Sequence, residues 1–284
     1  MILIADSGST KTDWMLVRCG SQIHIDKPLR LHTQGINPIH QSDAQILDIL
    51  RGELLPQLPP NQVSSIEFYG SGVRLDQEER MERLLREAFQ STTNIAQLSI
   101  SAHSDLLGAA RALCGKSEGL ACILGTGANS CLYDGQQIVA NTPPMGYILG
   151  DEGSGAVLGK RFLNALYKGH LGNGIKTDFE AEMQLTLAEV INRVYRQPMP
   201  NRWLASLSPF IHSHLDNPGM ESLVIDNFSD FIARNIDPYR RRDLPLQAVG
   251  SIAFFYRDQL RQAAKKAGYA VGNILRSPLD KFSY

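Results

Sequence analysis

The chain has few cysteines and almost no net charge. Its 284 residues include 4 cysteines and carry a formal net charge of -1. The cysteines, at positions 19, 114, 122 and 131, show neither a C-x-x-C pair nor the Cys/His spacing of a metal site. Free thiols of this kind predict a protein of the reducing cytoplasm. Because basic residues are not in excess, the composition argues against nucleic acid or an anionic membrane as a partner.

Long apolar runs are also missing. No stretch approaches the roughly 20 apolar residues that a membrane-spanning helix needs. The N-terminus has no basic segment followed by an apolar run, so the sequence predicts no signal peptide. At 284 residues the chain is long enough for two domains of ordinary size. We therefore expect a cytoplasmic protein without a membrane partner.

The first half of the chain alternates strands and helices. Apolar patterns predict strands at 2–5, 13–19, 66–73 and 98–105, and helices at 43–57, 75–90 and 105–115. This β-β-α-β-α-β-α order is typical of a mixed sheet covered by helices. Because the first two strands are joined by a short link, they are expected to form a hairpin.

The same pattern restarts in the second half. Residues 120–140 again read as strand, glycine turn and strand, and Ile4–Gly8 align by eye with Ile123–Gly127. The elements predicted after this point are helices at 155–169, 179–196, 201–215 and 219–235, a strand at 246–251, a helix at 257–268 and a strand at 273–277. We expect two domains, 1–117 and 118–284, the second with a helical insertion. The division falls in the Gly-, Lys-, Ser- and Glu-rich segment 115–119.

The segment DSGSTKT follows the first predicted strand directly. Glycine lets backbone N–H groups approach a ligand, and small hydroxyl residues with a lysine supply further donors for a polyphosphate. The predicted phosphate ligands are Ser7, Gly8, Ser9, Thr10 and Lys11. Asp6 suits bare phosphate poorly but is suited to holding Mg²⁺, a hard cation that prefers oxygen ligands. The alternative interpretation is a tight hairpin turn, in which Gly, Ser and Asp are common.

Two other nucleotide-binding motifs are excluded by their spacing. A P-loop requires G-x-x-x-x-G-K-[ST], whereas GSGAVLGKR has a different glycine spacing and Arg161 in place of Ser or Thr. A dinucleotide fingerprint requires G-x-G-x-x-G before a helix. GTGANS has Ser130 at the third glycine position and is followed by a strand-like segment.

Four segments resemble a known family: DSGSTKTDW (6–14), QGINP (34–38), ILGTGANS (123–130) and GYILGDEGSGAVLG (146–159). They are similar to the actin, sugar kinase and Hsp70 ATPase superfamily. More narrowly, the chain resembles the N-acetylglucosamine kinase-like group of the BadF/BadG/BcrA/BcrD ATPase family over nearly its whole length. AVGSIA (248–253) resembles the glycine-rich adenosine turn of the superfamily less strongly. The resemblance implies two ribonuclease-H-like α/β domains, each a mixed sheet flanked by helices, with a nucleotide cleft between them.

The resemblance also implies roles for individual residues. Asp105, which follows a short strand and opens a helix, matches the family's catalytic aspartate, and a carboxylate there can accept a sugar hydroxyl proton. The alternative for Asp105 is a carboxylate that only complements the helix dipole. The implied phosphate ligands of the second loop are Gly125, Thr126 and Gly127. The implied sugar ligands are Asn37, Asn129, Gly146 and Asp151. The implied adenosine ligands are Gly250 and Ser251. For Asn37, a turn residue before Pro38 is the alternative interpretation.

The sequence departs from the family in two places. Ser7 and Ser9 replace glycines of the usual D-G-G-G-T-K-T loop, and Pro143-Pro144-Met145 replace the Gly-Gly-Trp that helps to shape the acetamido-sugar pocket. The expected activity is ATP-dependent and Mg²⁺-dependent phosphorylation of a sugar hydroxyl, with an amino sugar such as N-acetylglucosamine as substrate. A homodimer is allowed by the sequence but not required.

Two other functions stay open at this level. Some branches of the same ATPase family activate a dehydratase or reductase by coupling ATP hydrolysis to electron transfer, and they hold an iron–sulfur cluster through cysteines. Cys122 lies three residues before Gly125, a spacing that differs from the activator pattern. A nucleotide-sensing or scaffold protein without turnover is the third interpretation, and the presence of Asp105 argues against it.

Overall fold

The structure, a computed structural model, describes residues 1–8, 10–18, 28–60, 62–90 and 98–282. Within these ranges the chain forms two compact units, one of Met1–Ala112 with Pro278–Tyr284 and one of Leu113–Ser277. The sequence predicts a division at residues 117 and 118, and does not anticipate that the C-terminal segment joins the first unit.

The first unit contains a five-stranded mixed sheet. Its strands are β1 (Ile2–Ser7), β2 (Lys11–Val17), β3 (Leu29–Gln34), β4 (Ser65–Gly70) and β5 (Ser99–Ser104), in the order β3-β2-β1-β4-β5. β2 is antiparallel to both β1 and β3, whereas β1, β4 and β5 are mutually parallel. β3 is absent from the sequence-based prediction. It is an edge strand in which only Leu31 and Thr33 are buried, so its apolar signal is weak.

Helices cover this sheet. The predicted helix at 43–57 consists of α1 (Asp43–Ile49), a π-helical turn (Leu50–Leu54) and a 3₁₀ turn (Leu55–Gln57). A capping box between Ser42 and Gln45 fixes the start of α1. The other helices are α2 (Leu75–Phe89) and α3 (Asp105–Cys114), which follow β4 and β5 as predicted. Leu3 and Ala5 of β1 face the buried apolar side of α1 and α2, because alternate strand residues point to one face.

The second unit repeats this sheet. Its strands are β6 (Gly119–Leu124), β7 (Ala128–Tyr133), β8 (Ile138–Thr142), β9 (Leu246–Val249) and β10 (Val271–Leu275), in the order β10-β9-β6-β7-β8. β7 is antiparallel to β6 and β8, and β6, β9 and β10 are mutually parallel. Each strand therefore has a counterpart in the first sheet. The short likeness between Ile4–Gly8 and Ile123–Gly127 reflects a repeated topology in which both segments lead from a first strand into a hairpin turn.

A group of helices lies between β8 and β9. Its helices are α4 (Gly146–Leu149), α5 (Gly155–Tyr167), α6 (Gly172–Met183), α7 (Leu187–Tyr195), α8 (Pro200–Ala205), α9 (Ser208–Ser213) and α10 (Pro218–Phe231). The prediction of one helix at 179–196 is wrong. Gln184, in the left-handed conformation, ends α6, and a capping box at Thr186 begins α7. The predicted helix at 201–215 is likewise divided into α8 and α9.

Two helices complete the second unit: α11 (Ser251–Phe255) precedes α12 (Arg257–Ala267) and β10. Phe162, Phe179 and Phe210 pack together in its core, with ring centroids 5.4–5.5 Å apart. In the part of the chain that the structure describes, no helix is both long enough and apolar enough to cross a membrane.

Candidate active site

The turn between β1 and β2 is held by its own backbone. The N–H of Gly8 donates to the carbonyl of Lys11 at 3.0 Å, and the carbonyl of Thr10 accepts the N–H of Gly35 at 3.2 Å. Gly8 and Thr10 are exposed. A Cβ added at Gly8 would contact only the Lys11 carbonyl, at 3.7 Å. The fold therefore does not itself require glycine at position 8. Ser9 lies outside the described residues.

The side chain of Ser7 is not available to a ligand, which corrects its predicted role as a phosphate donor. It is fully buried, and its hydroxyl lies 2.7 Å from Thr12 Oγ1 and 3.0 Å from the Ile36 carbonyl oxygen. It also accepts the N–H of Ile36 at 3.1 Å. A serine hydroxyl has one proton and two lone pairs, so these contacts use its hydrogen-bonding capacity inside the protein.

Charged residues gather on one face of the β1–β2 hairpin. Asp6 pairs with Asp13 across the two strands, and Lys11 Nζ lies 2.7 Å from Asp13 Oδ2. His32 Nδ1 lies 2.6 Å from Asp13 Oδ1. Lys11, predicted as a phosphate ligand, therefore forms an ion pair. Sequence reasoning missed Asp13, although its two-residue spacing from Lys11 places both side chains on one face of β2.

This face is compatible with Mg²⁺ bound through phosphate. Within the described ranges no three or more His, Cys, Asp or Glu side chains form a group able to hold a metal ion. Mg²⁺ in phosphoryl-transfer enzymes is usually held by one or two carboxylates, substrate phosphates and water, not by a protein cage. Asp6, half-buried at the end of β1 with Asp13 opposite, fits that requirement.

Asp105 lies at the same edge of the sheet as the β1–β2 turn. Ser7 pairs with Gly70 of β4, and Gly70 pairs with Ser104 of β5, so the carboxyl ends of the three parallel strands are aligned. Asp105 follows Ser104 directly and begins α3. In open α/β sheets, ligands bind at this carboxyl edge.

The Asp105 carboxyl group is half-buried at the start of its helix. Its Oδ1 accepts the N–H of Leu106 at 2.8 Å. Burial raises the pKa of Asp105 to about 6, and the backbone N–H of Leu106 opposes this shift only in part. At neutral pH the group is ionised but more basic than an ordinary carboxylate. These are properties of a proton acceptor.

Asn37 lies just beyond β3, and its Oδ1 accepts the N–H of Ile39 at 3.0 Å. Its backbone N–H donates to Gln41 Oε1 at 2.7 Å. Arg80 of α2 donates to the carbonyls of Pro38 and Gln41, at 2.5 and 3.0 Å. Asn37 therefore does have the turn role expected before proline. Among the described residues its Nδ2 donates to no acceptor, so a donor remains for a ligand.

The second unit presents a turn between β6 and β7. The N–H of Gly125 donates to the Gly127 carbonyl at 3.0 Å. The carbonyls of Gly125 and Thr126 accept the first two N–H groups of α5, from Gly155 and Ala156, at 2.8 and 3.1 Å. The start of α5 therefore fixes the turn. The N–H groups of Thr126 and Gly127 have no acceptor in the described part of the chain, and Thr126 is exposed.

Asp151 is held against this turn. Its backbone is left-handed, at φ 56°, and Met145 and Gly146 nearby also have positive φ, at 59° and 75°. Non-glycine residues in this conformation concentrate at functional sites. Burial, with the neighbouring charge of Glu152, raises the pKa of Asp151 to about 6, although the amides of Ala128 and Gly146 lower it. Asp151 is thus half-buried, strained and more basic than usual.

Asn129 and Gly250 each have a role in the fold itself. Asn129 Oδ1 accepts the Asn141 side-chain amide and the Ser130 N–H, both at 2.9 Å. Gly250 precedes α11 with φ 119°, and a Cβ there would fall 2.3 Å from the Leu124 carbonyl. Glycine is therefore required at position 250 by the fold itself. Ser251, the next residue, is exposed.

The site residues fall into two groups. The first unit brings Asp6, Gly8, Thr10 and Asp105 to one sheet edge, with Asn37 just beyond β3. The second unit places six of them around the β6–β7 turn: Gly125, Thr126, Gly127, Asn129, Gly146 and Asp151. Gly250 and Ser251 follow β9, whose carboxyl end lies beside that of β6.

Two of the cysteines that the structure describes have thiols of low reactivity. Cys122 and Cys131 are buried, and burial raises the pKa of both thiols, that of Cys131 to about 12. Iron–sulfur clusters are held by thiolates, so these two groups are poor ligands. Cys19 lies outside the described residues.

Solved structures of other proteins share the fold of this chain. Neither the family models nor the curated proteins compared with the chain gave a match. Among solved structures, a candidate N-acetylglucosamine kinase from Porphyromonas gingivalis is 47% identical, with a TM-score of 0.91, over 99% of this chain and 96% of that chain.

Two more distant structures share the fold alone. A candidate N-acetylglucosamine kinase from Chromobacterium violaceum is 19% identical, with a TM-score of 0.66, over 99% of this chain and 96% of that chain. A ROK-family glucokinase from Streptomyces griseus, in complex with glucose and AMPPNP, is 12% identical, with a TM-score of 0.57, over 98% and 94%. On the strength of the 47% identical relative, the chain belongs to the N-acetylglucosamine kinase-like family.

Proposed function

We propose that this protein is an ATP-dependent kinase that phosphorylates a hydroxyl group of an amino sugar such as N-acetylglucosamine. The observation that carries the proposal is Asp105, a half-buried carboxylate with a pKa raised to about 6, at the sheet edge that also carries the glycine turn. The 47% identity to the candidate kinase from Porphyromonas gingivalis supports the same substrate class.

In the proposed reaction, Asp105 accepts the proton of the sugar hydroxyl as its oxygen attacks the γ-phosphorus of ATP. A new P–O bond to the sugar forms, the bond between the γ-phosphorus and the β,γ-bridging oxygen breaks, and ADP leaves. Catalysis of this reaction depends mainly on positioning and charge neutralisation. A raised pKa suits the base, because a carboxylate that is more basic takes the proton more readily.

The two turns are proposed to bind phosphate. Thr10 in the first turn, and Thr126 and Gly127 in the second, offer N–H groups with no acceptor among the described residues. Mg²⁺, held through Asp6, would neutralise charge on the phosphates. Gly250 and Ser251 are proposed to accommodate the adenosine.

In the first unit, Asn37 is proposed to be a sugar ligand through its Nδ2, because an amide N–H can donate to a sugar hydroxyl. In the second unit, Asp151 is proposed to be a sugar ligand through its carboxylate, which can accept from a hydroxyl. Asn129 and Gly146 of the second unit are proposed as further sugar ligands. The buried free thiols Cys122 and Cys131 fit the proposed cytoplasmic location. The proposed chemistry does not depend on whether the protein is a monomer or a homodimer.

The direct test is a panel of sugars and amino sugars with MgATP, in which ADP and phosphosugar are both measured. The proposal expects ADP and phosphosugar in equal amounts with one acceptor, and little ADP without it. ADP release that no acceptor stimulates would favour an ATPase of the activator type and would contradict the proposal.

A further inference from the structure

The hydroxyl group of Ser7 joins two segments that are far apart in sequence. Ser7 ends β1, immediately before the β1–β2 turn, and Ile36 lies between β3 and Asn37. The same oxygen accepts the Ile36 N–H at 3.1 Å and lies 3.0 Å from the Ile36 carbonyl oxygen. One side chain therefore contacts both polar groups of a single residue in the neighbouring segment.

A second contact links the same two segments. The N–H of Gly35 donates to the carbonyl of Thr10, inside the β1–β2 turn, at 3.2 Å. Gly35 and Ile36 are thus tied to the turn at both of its ends, and Asn37 follows Ile36 directly in the chain. Ser7 and Ile36 are both fully buried. Because water does not reach this contact, a displacement of Ser7 is transmitted to Ile36 and is not absorbed by solvent.

We propose that Ser7 is a positioning residue that couples phosphate binding in the β1–β2 turn to acceptor binding at Asn37. The inference rests on the proposed function, which assigns phosphate to the turn and the sugar to Asn37. Phosphate bound at the turn fixes the end of β1, and the Ser7 hydroxyl then fixes the backbone that presents Asn37. Nucleotide and acceptor each bind more tightly when the other is present, since coupling between two sites is reciprocal.

The test uses Ser7→Ala, which removes the hydroxyl and leaves the strand residue. Thr33→Val is the matched control. Thr33 is a buried hydroxyl on β3 that accepts from Trp14 Nε1 and donates to the Gln34 carbonyl, each at 3.0 Å. Both variants lose one buried hydroxyl from the same sheet, but only Ser7→Ala separates the turn from Ile36. Melting temperatures are expected to fall in both.

Binding of N-acetylglucosamine is measured by calorimetry with and without Mg²⁺ and AMPPNP. In the wild type and in Thr33→Val we expect the nucleotide analogue to tighten sugar binding by about fivefold or more, within the usual range for coupled sites. In Ser7→Ala the ratio is expected to fall to about 1. Retention of the wild-type ratio in Ser7→Ala would overturn the proposal.

Hydrogen exchange gives an independent readout that needs no variant. AMPPNP with Mg²⁺ should slow exchange of the wild-type Ile36 amide, and unchanged exchange would overturn the proposal even if Ser7→Ala fails to fold. Failure of the proposed role of Ser7 can be distinguished from failure of the proposed function. Wild-type protein that binds sugar and nucleotide without coupling contradicts only the role of Ser7. Wild-type protein that binds neither contradicts the proposed function as well.

Discussion

Gly127 packs directly against the carboxylate of Asp151. A Cβ added to Gly127 would lie 3.0 Å from Asp151 Oδ2 and 3.6 Å from its Cγ. Asp151 cannot relax freely, because its backbone is in the left-handed region at φ 56°. The glycine of the β6–β7 turn therefore makes room for the acid proposed to bind the sugar.

Gly127→Ala is accordingly expected to raise the KM for the acceptor by roughly tenfold, equivalent to the loss of one hydrogen bond to a charged group. The matched control is Gly174→Ala in α6, where an added Cβ has nothing within 4 Å. Steady-state kinetics and melting temperatures are compared for both variants. An unchanged acceptor KM in folded Gly127→Ala would remove Asp151 from the sugar site.

Gly8→Val tests the first turn. Because an added Cβ meets only the Lys11 carbonyl at 3.7 Å, the variant should fold. Its branched side chain would occupy the space that the phosphates need, so stabilisation by MgADP or Mg²⁺ and AMPPNP should disappear. Thermal shifts with and without nucleotide measure this, and Gly52→Ala, with nothing within 4 Å, is the control. A full nucleotide shift in folded Gly8→Val would mean that the segment is only a hairpin turn.

The raised pKa of Asp105 predicts a pH dependence of catalysis. The base must be ionised, so kcat/KM should fall about tenfold per pH unit below a midpoint near pH 6, the pKa expected for Asp105. Asp151 has a similar pKa, about 6, and Asp151→Asn separates the two groups. We expect Asp151→Asn to lower kcat/KM but to keep the acid limb. Loss of that limb in Asp151→Asn would assign it to Asp151.

The same pKa predicts a stability effect with a definite sign. Between pH 3.8, the ordinary pKa of an aspartate, and about pH 6, the folded protein binds more protons at Asp105 than the unfolded chain. The contribution of this group to the free energy of unfolding therefore falls as the pH rises through that window. Asp105→Asn removes this contribution, so its stability relative to the wild type should be higher at pH 8 than at pH 4. Denaturant unfolding at the two pH values measures the difference, and a relative stability that is lower at pH 8 would contradict the assignment.

Protein purified without oxygen should be colourless and carry no stoichiometric iron or acid-labile sulfide. The thiols of Cys122 and Cys131 are buried with raised pKa values, so they do not supply thiolates to a cluster. Metal analysis and the visible spectrum provide the measurement. A stable brown protein with a cluster signal would favour the activator interpretation.

Local patterns predict the strand–turn units and place Asp105 at a junction between a strand and a helix, because these features are encoded in neighbouring positions. Long-range contacts could not be predicted in this way. The sequence predicts a phosphate ligand at Ser7, because no local pattern shows that its hydroxyl contacts Ile36, 29 residues away. Leu279, which packs against Ile4 in the first unit, is far from it in sequence. The end of α6 at Gln184 has no glycine to mark it.

The central claim is that Asp105 takes the proton of the sugar hydroxyl. Helix capping at α3 is shared by two side chains: Ser104 Oγ accepts the N–H of Leu107 at 3.2 Å, and Asp105 Oδ1 accepts the N–H of Leu106 at 2.8 Å. Variants at the two positions therefore distinguish capping from proton transfer. Ser104→Ala should lower the free energy of unfolding by about 1 kcal/mol and leave kcat within a few-fold of the wild type. Asp105→Asn keeps the size of the side chain and its acceptor oxygen, but cannot take a proton at neutral pH.

The most direct measurement is therefore the kcat of Asp105→Asn for the sugar that the wild type phosphorylates. The fraction of folded protein and the nucleotide affinity are determined on the same preparation. The account predicts a kcat lower by roughly 10²–10⁴-fold, with nucleotide affinity nearly unchanged. A kcat within a few-fold of the wild type in folded Asp105→Asn would contradict it.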